Sequence, residues 1–150
     1  MTNETTNWQV FRTAVPDFAA RVLGRFDSHL HHVLGTLDTS GAPRLSGTEV
    51  RILDDDVWMG SMVGAQKVAD LRRDPRCSIH SAPLDAEMKD GDAKLSGTAI
   101  EVTDRSTKEY FLDSVGHPGD ADHAVLFTLN ITKAVLTWVA DDHLEIDLWT

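Results

Sequence analysis

The stretch that decides the fold is Val57–His80, VWMGSMVGAQKVADLRRDPRCSIH. It starts with three bulky apolar residues, which are typical of a β-strand. Two glycines follow within 60–64, and because glycine reaches backbone angles that other residues avoid, we predict a break there. The apolar residues of 65–73 recur at helical spacing and predict a helix. Pro75 ends that helix, and a short strand begins at Cys77.

The turn before this helix is a candidate anion site. Small residues lead into the helix, and the first backbone N–H groups of any helix lack partners inside it. Lys67 lies in the first turn, where its charge would add to the positive end of the helix dipole. An ordinary connection with a solvated lysine is the alternative, because a common local geometry does not by itself define a function.

Composition excludes several classes of partner. The 150 residues contain 14 basic and 24 acidic side chains, a formal net charge of −10, which argues against nucleic acid as a partner. Cys77 is the only cysteine, so no intramolecular disulfide forms, and this suits a reducing compartment. There is no apolar run of membrane-spanning length and no signal-peptide pattern. We therefore expect a cytoplasmic protein without a membrane partner.

Taken in order, the chain predicts one domain over residues 1–150. Residues 1–12 are expected to form a poorly ordered leader, although Trp8 and Phe11 have the size to pack against a neighbour. Predicted strands cover 30–37, 43–53, 57–59, 77–80, 94–102, 124–139 and 144–149, with a polar loop over 82–93. Predicted helices cover 16–26, 65–73 and a segment that a capping box at Ser106 opens and Gly116 ends. Short turns join most strands, so we expect a small antiparallel β-barrel with about three peripheral helices.

Three pieces of the chain, in this order and spacing, resemble one known family. The segment from Lys67 to Arg76, KVADLRRDPR, is similar to the family's lysine followed by "nLrrDPR". Gly35–Pro43 resembles its "tl..dG.P" hairpin, and Leu95–Ala99 resembles its "v.G.a" strand. The family is the pyridoxamine 5′-phosphate oxidase-like split β-barrel proteins, in particular a small actinobacterial branch of flavin- or deazaflavin-dependent reductases. The resemblance extends over about residues 18–149.

This resemblance implies a mainly β protein, a six-stranded antiparallel split β-barrel. It implies a homodimer with cofactor sites in grooves between the subunits, and FMN or the deazaflavin F420 as the cofactor. It also implies hydride transfer to or from a small organic substrate. By position, Lys67 and Arg51 would hold the cofactor phosphate. The other cofactor-binding positions that the resemblance implies are Ser46, Gly47, Thr48, Glu49, Gly60, Ser61, Met62 and Gln66.

The choice of cofactor and the activity remain open at this point. Family members often carry basic residues at the positions of Ala65 and Gln66, whereas this chain is uncharged there. Since F420 has an acidic tail, the missing charges favour FMN. The alternative to an oxidoreductase is a non-catalytic protein that binds flavin, F420 or haem. No general acid or base is assigned, because the cofactor carries the chemistry.

Four further groups of residues have two interpretations each. We interpret the histidines as structural or surface groups rather than a metal site. The Arg and Asp side chains around 70–76 are expected to form surface ion pairs of small energy. Cys77 is predicted to be a small core residue. Trp138 and Trp149 either wall the cofactor or pack in the core. The histidines are His29, His31, His32 and His80; the charged residues are Asp70, Arg72, Arg73, Asp74 and Arg76.

Overall fold

The structure, a computed structural model, describes residues 4–150, and within that range it contains four helices and seven strands. The helices are α1 (Trp8–Ala14), α2 (Pro16–Asp27), α3 (Gln66–Arg73) and α4 (Arg105–Ser114). The strands are β1 (His31–Leu37), β2 (Pro43–Leu53), β3 (Asp56–Met62), β4 (Arg76–His80), β5 (Asp92–Glu101), β6 (Ala124–Ala140) and β7 (His143–Trp149). None of the helices in 4–150 has the length and hydropathy to cross a membrane.

The strands form one antiparallel sheet in the order β3-β2-β1-β4-β5-β6-β7. An additional pairing between β3 and β6 closes the first six strands into a barrel. β7 pairs only with β6 among the described strands and lies outside the ring. Closure leaves the barrel strands without free edges. The predicted mainly β fold, a six-stranded antiparallel split barrel with peripheral helices, is confirmed.

The barrel interior is filled by alternate residues of its strands. Leu34, Met59, Ile79, Leu95 and Leu129 are each at most 1% exposed. Their neighbours in sequence point to the outer face, as the two-residue period of a strand requires. Where β5 passes β6, the register shifts between Ser96 and Gly97. A Cβ at Gly97 would lie 1.8 Å from the Asn130 carbonyl oxygen, so only glycine fits there.

The N-terminal segment differs from the expected leader. Trp8 and Phe11 are 3% and 0% exposed, and both belong to the main hydrophobic core. Asn7 caps α1 by accepting a hydrogen bond from the Val10 N–H at 3.0 Å. Thr6 is fixed to β6, since its carbonyl accepts from the Ile131 N–H at 2.8 Å. The expectation of poor order is therefore wrong for residues 8–12, and residues 1–3 lie outside the described range.

Two local boundaries also differ from the predictions. The break expected at Gly60 comes later, because β3 continues to Met62 and the chain turns at Gly64, where φ is +84°. The cap of α4 is Asp104, whose carboxylate accepts from the Thr107 N–H at 2.9 Å. Ser106 is inside the helix and donates its own hydroxyl to Asp104. The predicted capping box was therefore wrong, and the N-cap lies two residues earlier than predicted.

Candidate functional site

A cavity of about 570 Å³ lies against the outer face of β2, β3 and β6. Helix α4 and the segment 115–124 line it at one end, and Lys67 of α3 lines it at the other. The strand register sets its floor, since Glu49 pairs with Gly60 and Gly60 pairs with Leu126. Its volume is in the range of small-molecule sites, which are commonly 300–1,000 Å³.

The structure brings most of the predicted cofactor residues to this cavity. Those that line it are Gly47, Thr48, Glu49, Arg51, Gly60, Ser61, Met62 and Lys67. Ser46, which directly precedes Gly47 on β2, does not line it. Gln66 is the exposed first residue of α3 and also lies outside the lining. The cofactor contacts of all these residues remain predictions.

Lys67 is the half-buried cation of the cavity. Its Nζ donates to the Gly47 carbonyl oxygen at 2.7 Å and forms no ion pair within residues 4–150. Burial lowers the pKa of Lys67 from its ordinary value of 10.5, while the nearby charge of Glu49 raises it by a smaller amount. A bound anion would offset the cost of removing this ammonium from water.

The start of α3 adds donors beside Lys67. Ala65 is the N-cap residue, and no side chain accepts a hydrogen bond there. The first-turn N–H groups are therefore free of a side-chain cap, unlike those of α4. An anion near Lys67 would meet both the ammonium and these dipoles.

Arg51 is distant from the point on β2 that Lys67 contacts. Lys67 contacts Gly47, whereas a shared phosphate would need both cations close together. Gly47 and Arg51 are four residues apart on the strand, which is about 13 Å between Cα atoms at 3.3 Å per residue. Arg51 pairs in register with Trp58, is exposed, and makes no hydrogen bond or ion pair with a described residue. The two cations thus border the cavity at separate positions, and one phosphate would contact both only if their side chains converged.

The apolar end of the cavity was not predicted from the sequence. Trp58 of β3 stacks on Phe111 of α4, with ring centroids 4.3 Å apart and planes 17° apart. Both belong to a second buried cluster, separate from the barrel core, and Leu112 and Leu126 belong to it too. The sequence signal was the pair Phe111-Leu112 on α4, but periodicity does not say which strands a helix will cover. The alternation of β6 marked Leu126 only as a residue on the side opposite Val125.

Three histidines also line the cavity, and one of them was among those singled out from the sequence. His31, His117 and His123 are exposed at its border, together with Asp120. His29 does not share a strand face with His31, because β1 begins at His31. Within residues 4–150, no three His, Cys, Asp or Glu side chains converge in a way that would hold a metal.

His32 has a structural role. It is 3% exposed, and its Nδ1 accepts from the Ala82 N–H at 2.8 Å. Nε2 therefore carries the proton and donates to the carbonyls of Phe26 and His29, at 3.0 and 2.8 Å. Burial lowers the pKa of His32 below its ordinary 6.5. The neutral ring links the end of α2 to the start of the 82–91 loop.

Asp70 contradicts the prediction of surface ion pairs. It is 1% exposed and accepts from the Thr36 hydroxyl and the Arg44 Nε, both at 2.7 Å. Arg73 donates to its other oxygen at 3.1 Å. These contacts fasten α3 to β1 and β2. Surface pairing holds for Arg72 with Glu101 and for Arg76 with Asp74, both at 2.6 Å.

Cys77 and the C-terminal tryptophans pack in the core. Cys77 is 8% exposed, as predicted for a core residue, and burial raises the pKa of its thiol to about 12. Trp138 and Trp149 pack against the main hydrophobic cluster, and neither lines the cavity. Trp149 contacts Phe11 edge-on at 5.0 Å between centroids. The packing interpretation was therefore the correct one.

Comparison with known proteins agrees with this architecture. The family model described as pyridoxamine 5′-phosphate oxidase matches residues 22–134. No curated protein matches the sequence. A conserved hypothetical protein of Mycobacterium tuberculosis is similar in structure, with 19% identity, a TM-score of 0.63, and coverage of 77% of this chain and 81% of that one.

Two other similar structures carry functional names. A haem binding protein of Mycobacterium smegmatis has 22% identity and a TM-score of 0.62. The match covers 85% of this chain and 55% of the haem binding protein. A protein named F420 reductase has 14% identity and a TM-score of 0.56. The match covers 70% of this chain and 88% of the reductase. At such identities these likenesses concern the fold. The family model spans most of the chain, and on that match the chain belongs to the pyridoxamine 5′-phosphate oxidase family.

Proposed function

We propose that this protein binds FMN in the cavity and is an oxidoreductase that transfers a hydride between FMN and a small organic substrate. Membership of the family supports a flavin-type cofactor. The observation that carries the proposal is Lys67, a half-buried ammonium on the cavity wall whose hydrogen-bond partner is a neutral carbonyl. A phosphate would supply the negative charge that this position lacks.

The residues present fit such a cofactor. Lys67 and the uncapped start of α3 would hold the phosphate. The ring would lie on the strand floor, where glycines leave space: a Cβ at Gly47 would meet no atom within 4 Å, and one at Gly60 only Leu126 Cδ2 at 3.9 Å. FMN would supply the hydride chemistry. The chain's own residues would bind and orient it, and no proton donor is assigned.

F420 is the alternative cofactor. One structural relative is named F420 reductase, although its 14% identity supports only the fold. Ala65 and Gln66 add no charge beside Lys67, and the whole chain has a net charge of −10. An acidic tail would therefore be repelled more than it is attracted, whereas FMN has one phosphate to satisfy. We expect FMN to bind more tightly than F420.

A side-by-side titration tests the cofactor. The purified protein is titrated with FMN and with F420, and ligand fluorescence is followed. Tighter binding of F420 would reverse the order, and binding of neither cofactor at micromolar concentrations would refute the proposal. Turnover is then measured with a chemical reductant and an electron acceptor. A protein that binds FMN but never accelerates its reoxidation by any acceptor would be a carrier.

We also propose a homodimer, because β7 presents exposed apolar side chains on the outer side of the sheet, where the cavity also lies. Leu144, Ile146 and Leu148 of β7 are 58–61% exposed. A row of register partners joins this strand to the cavity floor, namely Leu148, Val135, Lys94, His80, Val33 and Gly47. Exposed apolar faces of this kind usually mark interfaces. A second copy on this face would cover the cavity's open side; light scattering that gives a monomer with full FMN affinity would refute it.

A haem-binding function is the second candidate. His31, His117 and His123 border the cavity, and an imidazole is a common axial ligand of haem iron. A structural relative is named a haem binding protein, with 22% identity. Addition of haem and a scan for a shifted Soret band separate the two functions. A Soret shift that His31→Ala abolishes, together with no FMN binding, would favour haem.

We further propose a cytoplasmic location. The sole cysteine is buried and unpaired, which suits a reducing compartment. Cell fractionation with an antibody against the protein tests this location.

A further inference from the structure

We propose that the end of the cavity next to α4 is a separate binding chamber for a second ligand, a flat and mainly apolar ring compound with a polar group on one edge. We call this end the α4 chamber and define it by Trp58, Phe111, Leu112, Val115 and Leu126. The identification of this ligand as the substrate rests on the proposed function. The existence of the chamber does not.

The chamber walls are apolar and well packed. Trp58, Phe111, Leu112 and Leu126 are 2–7% exposed, and the first two are stacked. Val115 is half-buried at the end of α4 and packs against the same cluster. These side chains come from two strands and one helix, so the walls are fixed by secondary structure. Such a surface favours a flat apolar body.

Apart from Trp58 Nε1, which is buried and has no hydrogen-bond partner among the described residues, the polar groups of this end lie at its border. Arg51, His117, Asp120 and His123 line the cavity and are exposed. A charged group buried against the apolar wall would lose its hydration without a partner, which is costly. A ligand would therefore turn its apolar ring inward and its polar edge toward these four residues. This arrangement selects for amphipathic ring compounds over uniformly polar ones.

Gly60 connects the chamber to the other end of the cavity. In register it lies between Glu49 and Leu126, and so between the side of Lys67 and the α4 chamber. No side chain separates the two ends at this position, since Gly60 has none and a Cβ there would have only one neighbour within 4 Å. A ligand in the chamber and a ligand held by Lys67 would thus meet across Gly60.

The test uses two ring probes of equal size, 2-naphthol and 2-naphthoate, measured by isothermal titration calorimetry with the full chain free of FMN. We expect saturable binding of at least one probe, and weakening by about tenfold or more in Val115→Trp, which fills the chamber. Val115→Ala is the matched control, which leaves the chamber open and should keep the affinity within about threefold. Circular dichroism checks the fold; if Val115→Trp fails to fold, the smaller Val115→Phe replaces it.

The outcomes separate the chamber from the cofactor proposal. Loss of naphthol binding in Val115→Trp with unchanged FMN binding supports two distinct positions. Lys67→Ala should give the reverse pattern, with FMN weakened and the ring probe retained. If FMN fails to bind but the ring probe shows the Val115 pattern, the cofactor proposal falls and the chamber stands. No saturable probe binding, or equal probe affinity in Val115→Trp and the unmodified protein, would overturn the chamber.

Discussion

Replacement of Lys67 by alanine is the sharpest perturbation of the proposed phosphate site. Lys67 Nζ lies on the cavity wall, 2.7 Å from the Gly47 carbonyl oxygen. A hydrogen bond to a charged group is worth roughly 1.5–3 kcal/mol. Its loss would raise the dissociation constant of FMN by about ten- to a hundredfold. The neutral neighbours Ala65 and Gln66 offer no replacement cation, so we expect the upper part of this range.

The assay compares FMN with riboflavin, which has the ring but no phosphate. Lys67→Ala should weaken FMN far more than riboflavin, whereas a general loosening of the fold would weaken both alike. Lys133→Ala is the matched control, because it removes one exposed lysine that does not line the cavity. Equal losses for the two ligands, or the same loss in both variants, would refute the phosphate role.

The pH dependence of FMN binding gives a second readout of the same residue. Burial lowers the pKa of Lys67, so the free protein loses this positive charge at a lower pH than an exposed lysine would. The protonated form binds the anion, and affinity should therefore fall as the pH rises through that pKa. In Lys67→Ala this alkaline decline should disappear. A decline of equal size in the variant would assign it to another group.

Three further predictions concern the scaffold. Asp70→Ala should lower the free energy of unfolding, measured in urea, by about 2–4 kcal/mol. Thr36 would lose its hydrogen-bond acceptor, whereas the partly exposed Arg44 and Arg73 would regain water. Burial alone would raise the pKa of Asp70, but the hydrogen bonds from these residues outweigh it and lower the pKa. The stabilisation of the folded state by Asp70 should therefore be present above about pH 3.8 and decline as the pH falls further. Phe11→Ala should cost about 3–5 kcal/mol in the same assay, because the ring is fully buried, whereas a leader would tolerate it. Native Cys77 should resist thiol reagents at pH 8 until urea unfolds the chain, because its pKa is about 12; rapid labelling would contradict its burial.

The barrel was predictable because its signals are local. Alternation in β2 and β6 and the turn residues between strands identified most elements within a few residues of their ends. α1 was not predicted because its seven residues are too few to show the helical repeat of apolar positions. Its stability comes from Trp8 and Phe11 packing on a core that the sequence does not display. The capping error at Ser106 arose because Asp104, two residues earlier, already accepts from the Thr107 N–H and starts the helix there.

The lining of the cavity was predictable at one end only. Strand alternation and the resemblance placed residues of β2 and β3 on one wall, and Lys67 followed from its position in α3. The α4 chamber depends on which part of the barrel α4 covers, and that is a long-range contact between Trp58 and Phe111, 53 positions apart in the sequence. The prediction that Asp70 lies on the surface was wrong for a similar reason. Its partners Thr36 and Arg44 lie in other strands, so the charged helix face appeared solvated when it was a buried contact.

Lys67 and Asp70 lie on the same helix, so the contacts that stabilise α3 also determine where Lys67 lies. The two residues are three apart on the helix, and both contact β2, Lys67 at Gly47 and Asp70 at Arg44. Burial lowers the pKa of Lys67, so keeping its ammonium charged in the folded state costs free energy that a bound anion would offset. The contacts of Asp70 act in the opposite direction on the same helix. The contacts of Asp70 therefore help to hold Lys67 beside Gly47, and under the proposed function they would also position Lys67 for the phosphate.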